Sequence, residues 1–145
     1  MRYSEIDLQC EDIMWFGVDK KGHIIAFTSG GCGCVPDYVC RSKEETNQLE
    51  EFFMEKLSIS SDFRLEVPDN ENQLTDDAQL LSKKGIYVYD VSFEDNHADE
   101  YSIISSPTSP IVIESLPENI ITILQDHVIE KQIAGTKYIK VKHAY

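Results

Sequence analysis

Apolar positions change their period several times along the chain, and each change marks an element. They run almost unbroken over residues 13–18, stop at Asp19-Lys20-Lys21-Gly22, and resume over residues 23–27. Asp at the first place of that tetrapeptide and Gly at the fourth suit a type I turn closed by a left-handed residue. Two antiparallel strands joined as a hairpin are therefore predicted. Trp15 and Phe16 fall on opposite faces, because side chains alternate along a strand. Bulk on both faces implies cover on both sides, and so a central hairpin. The following run, Thr28-Ser29-Gly30-Gly31-Cys32-Gly33-Cys34-Val35-Pro36, is too rich in glycine for a strand interior and reads as a loop or sharp bend.

Helical spacing comes next. Ser42 and Glu45 stand at the capping-box interval, where hydroxyl and carboxylate each satisfy an orphan backbone N–H. Leu49, Phe52, Phe53 and Leu57 then form one stripe, with Glu44, Glu50, Glu51 and Glu55 mostly outside it. A helix is predicted over residues 43–57. Phe63, Leu65 and Val67 alternate before Pro68 and predict a short strand. After a polar loop over residues 69–73, Thr75 is placed to cap a helix with Asp76 and Asp77 in its first turn. Lys83, Lys84 and Gly85 close it.

A strand over residues 86–93 puts Ile86 and Val88 on one face and Tyr87, Tyr89, Val91 and Phe93 on the other. An acidic turn spans residues 94–100. Tyr101 to Ile104 returns as a strand, broken by Ser105-Ser106-Pro107-Thr108-Ser109-Pro110, and residues 111–113 form a brief extended piece. Ser115 and Glu118 repeat the capping-box spacing, with Pro117 in the first turn. Ile120, Ile121, Leu124 and Val128 carry that helix to about residue 131. Residues 137–141 make a last strand, and Tyr3, Ile6 and Leu8 predict a short edge strand near the N-terminus. The sum is a single domain, 1–145, of the α+β class. Its sheet is mainly antiparallel, of about five or six strands, with two to three helices packed on one side.

Charge changes the picture most. Thirteen basic residues stand against 26 acidic ones, a formal net charge of −13, and the sequence pI is about 4.6. Such a surface repels nucleic-acid phosphates and anionic lipid and attracts a basic protein. The longest apolar blocks stop at about seven residues where a membrane span needs about 20. The opening MRYSEIDLQCED meets charges before any apolar core forms, so no signal peptide is read and a cytoplasmic location is expected.

Candidate chemistry is sparse. Cys32, Cys34 and Cys40 lie close together, and His23 or Cys10 would supply a fourth soft ligand for zinc. The spacing is not that of a standard knuckle, and the alternative is small reduced residues in a tight loop. The glycine loop lacks the Lys-Ser/Thr of a Walker loop. His23, His97, His127 and His143 have no motif around them, although Cys34 and His23 are a conceivable pair. Asp90, Glu94, Asp95, Asp99 and Glu100 lack the EF-hand pattern. No catalytic residue, cofactor or metal is assigned.

The segment DIMWFGVDKKGHIIAFTSGGCGCVP resembles the opening of a loose group of small acidic bacterial proteins with a W-F-x-x-D-x-x-G-x-I-A-x-F-x-S-x-G segment. YSIISSPTSPIVIESLPENI is similar to their Y-x-x-x-x-x-P-x-x-P-[L/I]-x-[L/I]-x-x-L-P segment, and the two cover about a third of the chain. Here the loop departs by carrying Cys32 and Cys34. The group includes immunity partners of bacterial toxins. The resemblance implies a non-enzymatic binding protein, an immunity-like inhibitor of a basic toxin, and carries no catalytic residues. By charge, the expected partner contacts are Asp69, Glu71, Asp76, Asp77, Glu94, Asp95, Asp99 and Glu100. The alternative is a metal-binding protein or enzyme centred on Cys32, Cys34 and Cys40.

Overall fold

The computed structural model describes residues 1–66, 76–92 and 98–145. Strands β1 (Met14–Val18) and β2 (Ile24–Thr28) form the expected hairpin, with Trp15 opposite Phe27 and Gly17 opposite Ile25. Gly22 closes the turn at φ +84°, in the left-handed region glycine enters freely. Asp19 organises it. Its buried carboxylate accepts the N–H groups of Lys21 and His23 at 2.9 and 3.0 Å, and that of Ala134 at 2.9 Å from the far end of the chain.

The sheet runs β1-β2-β4-β5-β3, where β4 is Tyr87–Val91, β5 is Glu100–Pro107 and β3 is Phe63–Leu65. Strand β6 (Tyr138–Lys140) pairs the first half of β5, Tyr101 opposite Ile139, and β3 pairs its second half, Leu65 opposite Ser105. All pairs are antiparallel except β2 with β4. That parallel pair needs a crossover. Helix α3 (Lys43–Glu51), β3 and α4 (Asp76–Lys83) lie within it. The architecture is α+β, as the sequence implies. The hairpin is central only in depth, because β1 stands at one end of the strand order.

Both faces of the sheet are covered. On one, Trp15, Ile25, Phe27, Tyr89 and Tyr101 pack against Leu8, Val35, Val39 and Cys40. On the other, Phe16, Val18, Ile24 and Val88 meet Leu49, Phe53, Leu81, Ile120 and Leu124. The longer helices α3 and α4, with α5 (Glu118–Leu124), cover the second face. Two short helices, α1 (Glu5–Cys10) and α2 (Asp37–Cys40), serve the first. Trp15 stacks on Phe27 with centroids 4.0 Å apart and meets Tyr101 edge-on. The indole N–H donates to the Tyr101 hydroxyl at 3.4 Å, and that hydroxyl donates to the Cys34 carbonyl at 2.9 Å. No buried polar tip in this group goes without a partner.

Four local readings need correction. Residues 5–10 are a helix, not an edge strand, because Ser4 and Asp7 form a full capping box. Ser42 does cap α3, accepting from the Glu45 N–H at 3.1 Å, but the last turn, Phe52–Lys56, widens into a π-helix. Strand β5 continues through Ser105 and Ser106. Their hydroxyls find partners in the Ser82 hydroxyl at 2.7 Å and the Glu66 carboxylate at 2.5 Å, so burial costs them little. Ser115 caps nothing. It donates to the Val112 carbonyl within a 3₁₀ turn, Ile113–Ser115, and α5 begins after Pro117 and stops at Leu124. The expectations for Val67, Pro68, residues 69–73, Thr75 and Phe93 fall outside the described residues. Among the described residues no helix is long and apolar enough to cross a membrane.

Lys84 explains how the π turn ends. It is only 4% exposed, and its ammonium donates to the Phe53 and Met54 carbonyls, both at 2.7 Å. These are orphan acceptors of a helix end, capped by a cation just past the end of α4. Gly85 (φ +95°) lets the chain turn from α4 into β4 beside it. Lys84→Met, which keeps the stem and deletes the donors, is expected to cost about 2 kcal/mol. A shift of the urea midpoint at unchanged slope is the measurement; no shift would show that water replaces the cap.

Candidate functional site

Half of the acidic residues selected by charge, Asp69, Glu71, Glu94 and Asp95, lie outside the described residues. Asp76 and Asp77 are exposed in the first turn of α4, and Asp99 is exposed just before β5. Glu100 is half-buried and stands opposite Lys140 of β6. One of these, Asp77, belongs to a larger arrangement.

An open groove of about 430 Å³ runs beside the start of β1. Its floor is Ile13 and Met14. One wall is Tyr3, Glu11 and Asp12, from either side of α1, and the other is Lys43, Asn47 and Glu50 of α3. Those three α3 residues recur at four and three positions, so one polar face of the helix lines the wall. The α1 side is held by bonds from backbone N–H groups. Glu11 N–H donates to the Asp7 carbonyl at 2.9 Å, Ile13 N–H to the Ser29 hydroxyl at 2.9 Å, and Gly30 N–H to the Asp12 carboxylate at 2.8 Å. The glycine bend thereby carries residues 11–13 along the strand end.

The field in the groove is negative. Lys43, the cation in its lining, is engaged by Asp7 at 3.0 Å and lies over the Tyr3 ring. Burial, reinforced by Asp77 and Asp12, raises the Glu50 carboxyl above the usual glutamate range. Burial also raises Asp90, with Asp12 adding to the rise, although the Thr28 hydroxyl and the Val91 N–H bond its carboxylate at 2.7 and 2.9 Å. The Tyr3 phenol is pushed up to about 12, by burial first and then by Glu11 and Glu50. Four carboxylates, Glu11, Asp12, Glu50 and Asp77, thus act on one region. Sequence reading missed Glu11, Asp12 and Glu50 because the Glu11-Asp12 pair and Glu50 are far apart along the chain.

The cysteine loop offers little chemistry. Cys34 and Cys40 are buried, and burial raises both thiols to about 11, so they stay protonated and poorly nucleophilic. Cys40 sits at 3.8 Å from the Val35 carbonyl and Cys32 at 3.8 Å from the Ser29 carbonyl. Among the described residues no three His, Cys, Asp or Glu side chains are placed to hold a metal ion. Cys32 and His143 border a space of about 10 Å³, room for about one water. The N–H groups of Gly30, Cys32, Gly33 and Cys34 bond within the fold, so they do not cradle an anion. The length of β2 separates His23 from Cys34, which rules out that pair. Compared with known protein families, curated proteins and solved structures, the chain matches none.

Two outcomes follow from these environments. A raised carboxyl disfavours the folded state once ionised, so the penalty is complete above its folded pKa and absent below the ordinary value of about 4.3. Glu50→Gln should stabilise the protein at pH 7 by up to about 1 kcal/mol after solvent screening. That gain should vanish on acidification, as thermal melts across pH will read. Thiol labelling of the native protein should modify Cys10, which is exposed, and spare Cys34 and Cys40 until unfolding. Rapid native labelling of Cys40 would contradict its burial.

Proposed function

We propose that this chain is a non-enzymatic binding protein whose acidic groove between α1 and α3 receives a basic protein, in the manner of an immunity protein inhibiting a basic toxin. The observation that carries the reading is the groove itself. It is open and lined by Glu11, Asp12 and Glu50, and Asp77 and Asp12 add to the rise that burial gives the Glu50 carboxyl. A cation placed there relieves that repulsion on arrival, which favours complementary partners and speeds encounter. The net charge of −13 extends the same field beyond the groove. The cysteine-centred alternative has no comparable support, since its buried thiols are held protonated.

The test separates the groove from the charge of the whole chain. Calorimetric binding of hexalysine should weaken about tenfold in the charge reversal Glu11→Lys/Glu50→Lys. The reversal Glu118→Lys/Glu130→Lys, equal in charge and remote in position, should have a much smaller effect. Raising salt from about 25 to 250 mM should weaken wild-type binding as the screening length shortens. Equal loss in both reversals would assign binding to net charge and remove the groove from the reading.

A further inference from the structure

The hydrogen-bond parity of β1 leaves one part of its outer edge open. Ser29 N–H donates to the Ile13 carbonyl at 3.0 Å, and Asp19 N–H donates to the His23 carbonyl at 3.1 Å. Odd-numbered residues therefore exchange bonds with β2, and Met14, Phe16 and Val18 turn their backbone groups outward. The chain after α5 covers half of that edge. Val18 N–H donates to the His127 carbonyl at 3.0 Å, and Ile129 N–H to the Val18 carbonyl at 2.8 Å. The Phe16 carbonyl accepts from His127 Nδ1 at 3.1 Å. Cover stops there. Among the described residues nothing bonds the outward N–H and C=O of Met14, and Met14 is on the floor of the acidic groove.

We infer that this edge is a β-addition site for a short, extended, basic segment of the partner; the inference rests on the groove reading above. Its backbone pairs with Met14 and prolongs the sheet beyond β1. Alternation along the added strand sends successive side chains to opposite faces. One set meets the wall holding Glu11 and the other the wall holding Glu50, because Tyr3 belongs to the core of one sheet face and Leu49 of α3 to that of the other. Charge complementarity fixes the occupant as cationic. The His127 segment limits its length, since a strand running on toward Val18 collides with residues 127–129.

Hexalysine and its fully backbone-N-methylated analogue carry the same charge, but only the first donates backbone N–H groups. Calorimetry with the wild-type protein should find the methylated peptide at least tenfold weaker, and hydrogen exchange of the Met14 amide should slow at least tenfold with hexalysine bound. Met14→Pro deletes the outward N–H without touching the β1–β2 ladder and should weaken hexalysine about tenfold, while Met14→Leu should not. Equal affinity of the two peptides, with no protection of Met14, would overturn strand addition and leave the acidic groove standing. Loss of hexalysine binding in wild type would overturn both.

Discussion

Two-sided burial of β1 is the constraint on which the rest of the structure depends. Trp15 packs into one core and Phe16 into the other, and both are fully buried. Because the side-chain period of a strand is two, a slip of one residue would exchange these cores completely. The register is therefore fixed by volume. Trp15 must face Phe27 and Tyr101, and Phe16 must face Phe53 at 4.7 Å. Helices on both faces follow from this, since a strand buried twice needs two covering layers.

A terminal strand buried on both faces still has an unpaired edge, and residues 127–129 close part of it. Helix α5 stops early, so residues 127–129 can lie along Val18. His127 is 2% exposed, and burial holds its imidazole toward the neutral form. A neutral ring with its proton on Nδ1 gives the Phe16 carbonyl the donor that a backbone would otherwise supply. Tyr38 packs on the ring from the other side, at 5.2 Å. Asp19 ties the same segment to the hairpin turn through Ala134. Hairpin, turn and C-terminal segment are therefore one mechanical unit.

What could be read in advance divides by range. The hairpin, the Ser42 cap and the Gly85 turn were legible because each rests on residues a few positions apart. Ser115 and Ser42 look alike in sequence, yet only Ser42 caps a helix; Ser115 is taken by a 3₁₀ turn. Ser105 and Ser106 look like strand breakers until their distant partners are known. The groove was illegible for the same reason. Its carboxylates are the Glu11-Asp12 pair just after α1 and Glu50 near the end of α3, with Asp77 of α4 acting on Glu50, and the chain brings them together only through the fold. Charge read along the chain instead singled out the longer acidic segments over residues 69–77 and 94–100.

The open edge and the carboxylates beside it belong together. An unpaired edge invites a second copy of the same chain, which is how sheets aggregate. A second copy, however, brings its own Glu11, Asp12 and Glu50 to the contact, and like charges oppose it. A cationic strand meets the opposite sign and the same free backbone groups. Burial chiefly, with Asp77 and Asp12 adding to it, raises the Glu50 carboxyl beside that edge. On the proposed reading, one edge separates self from partner by the sign of charge.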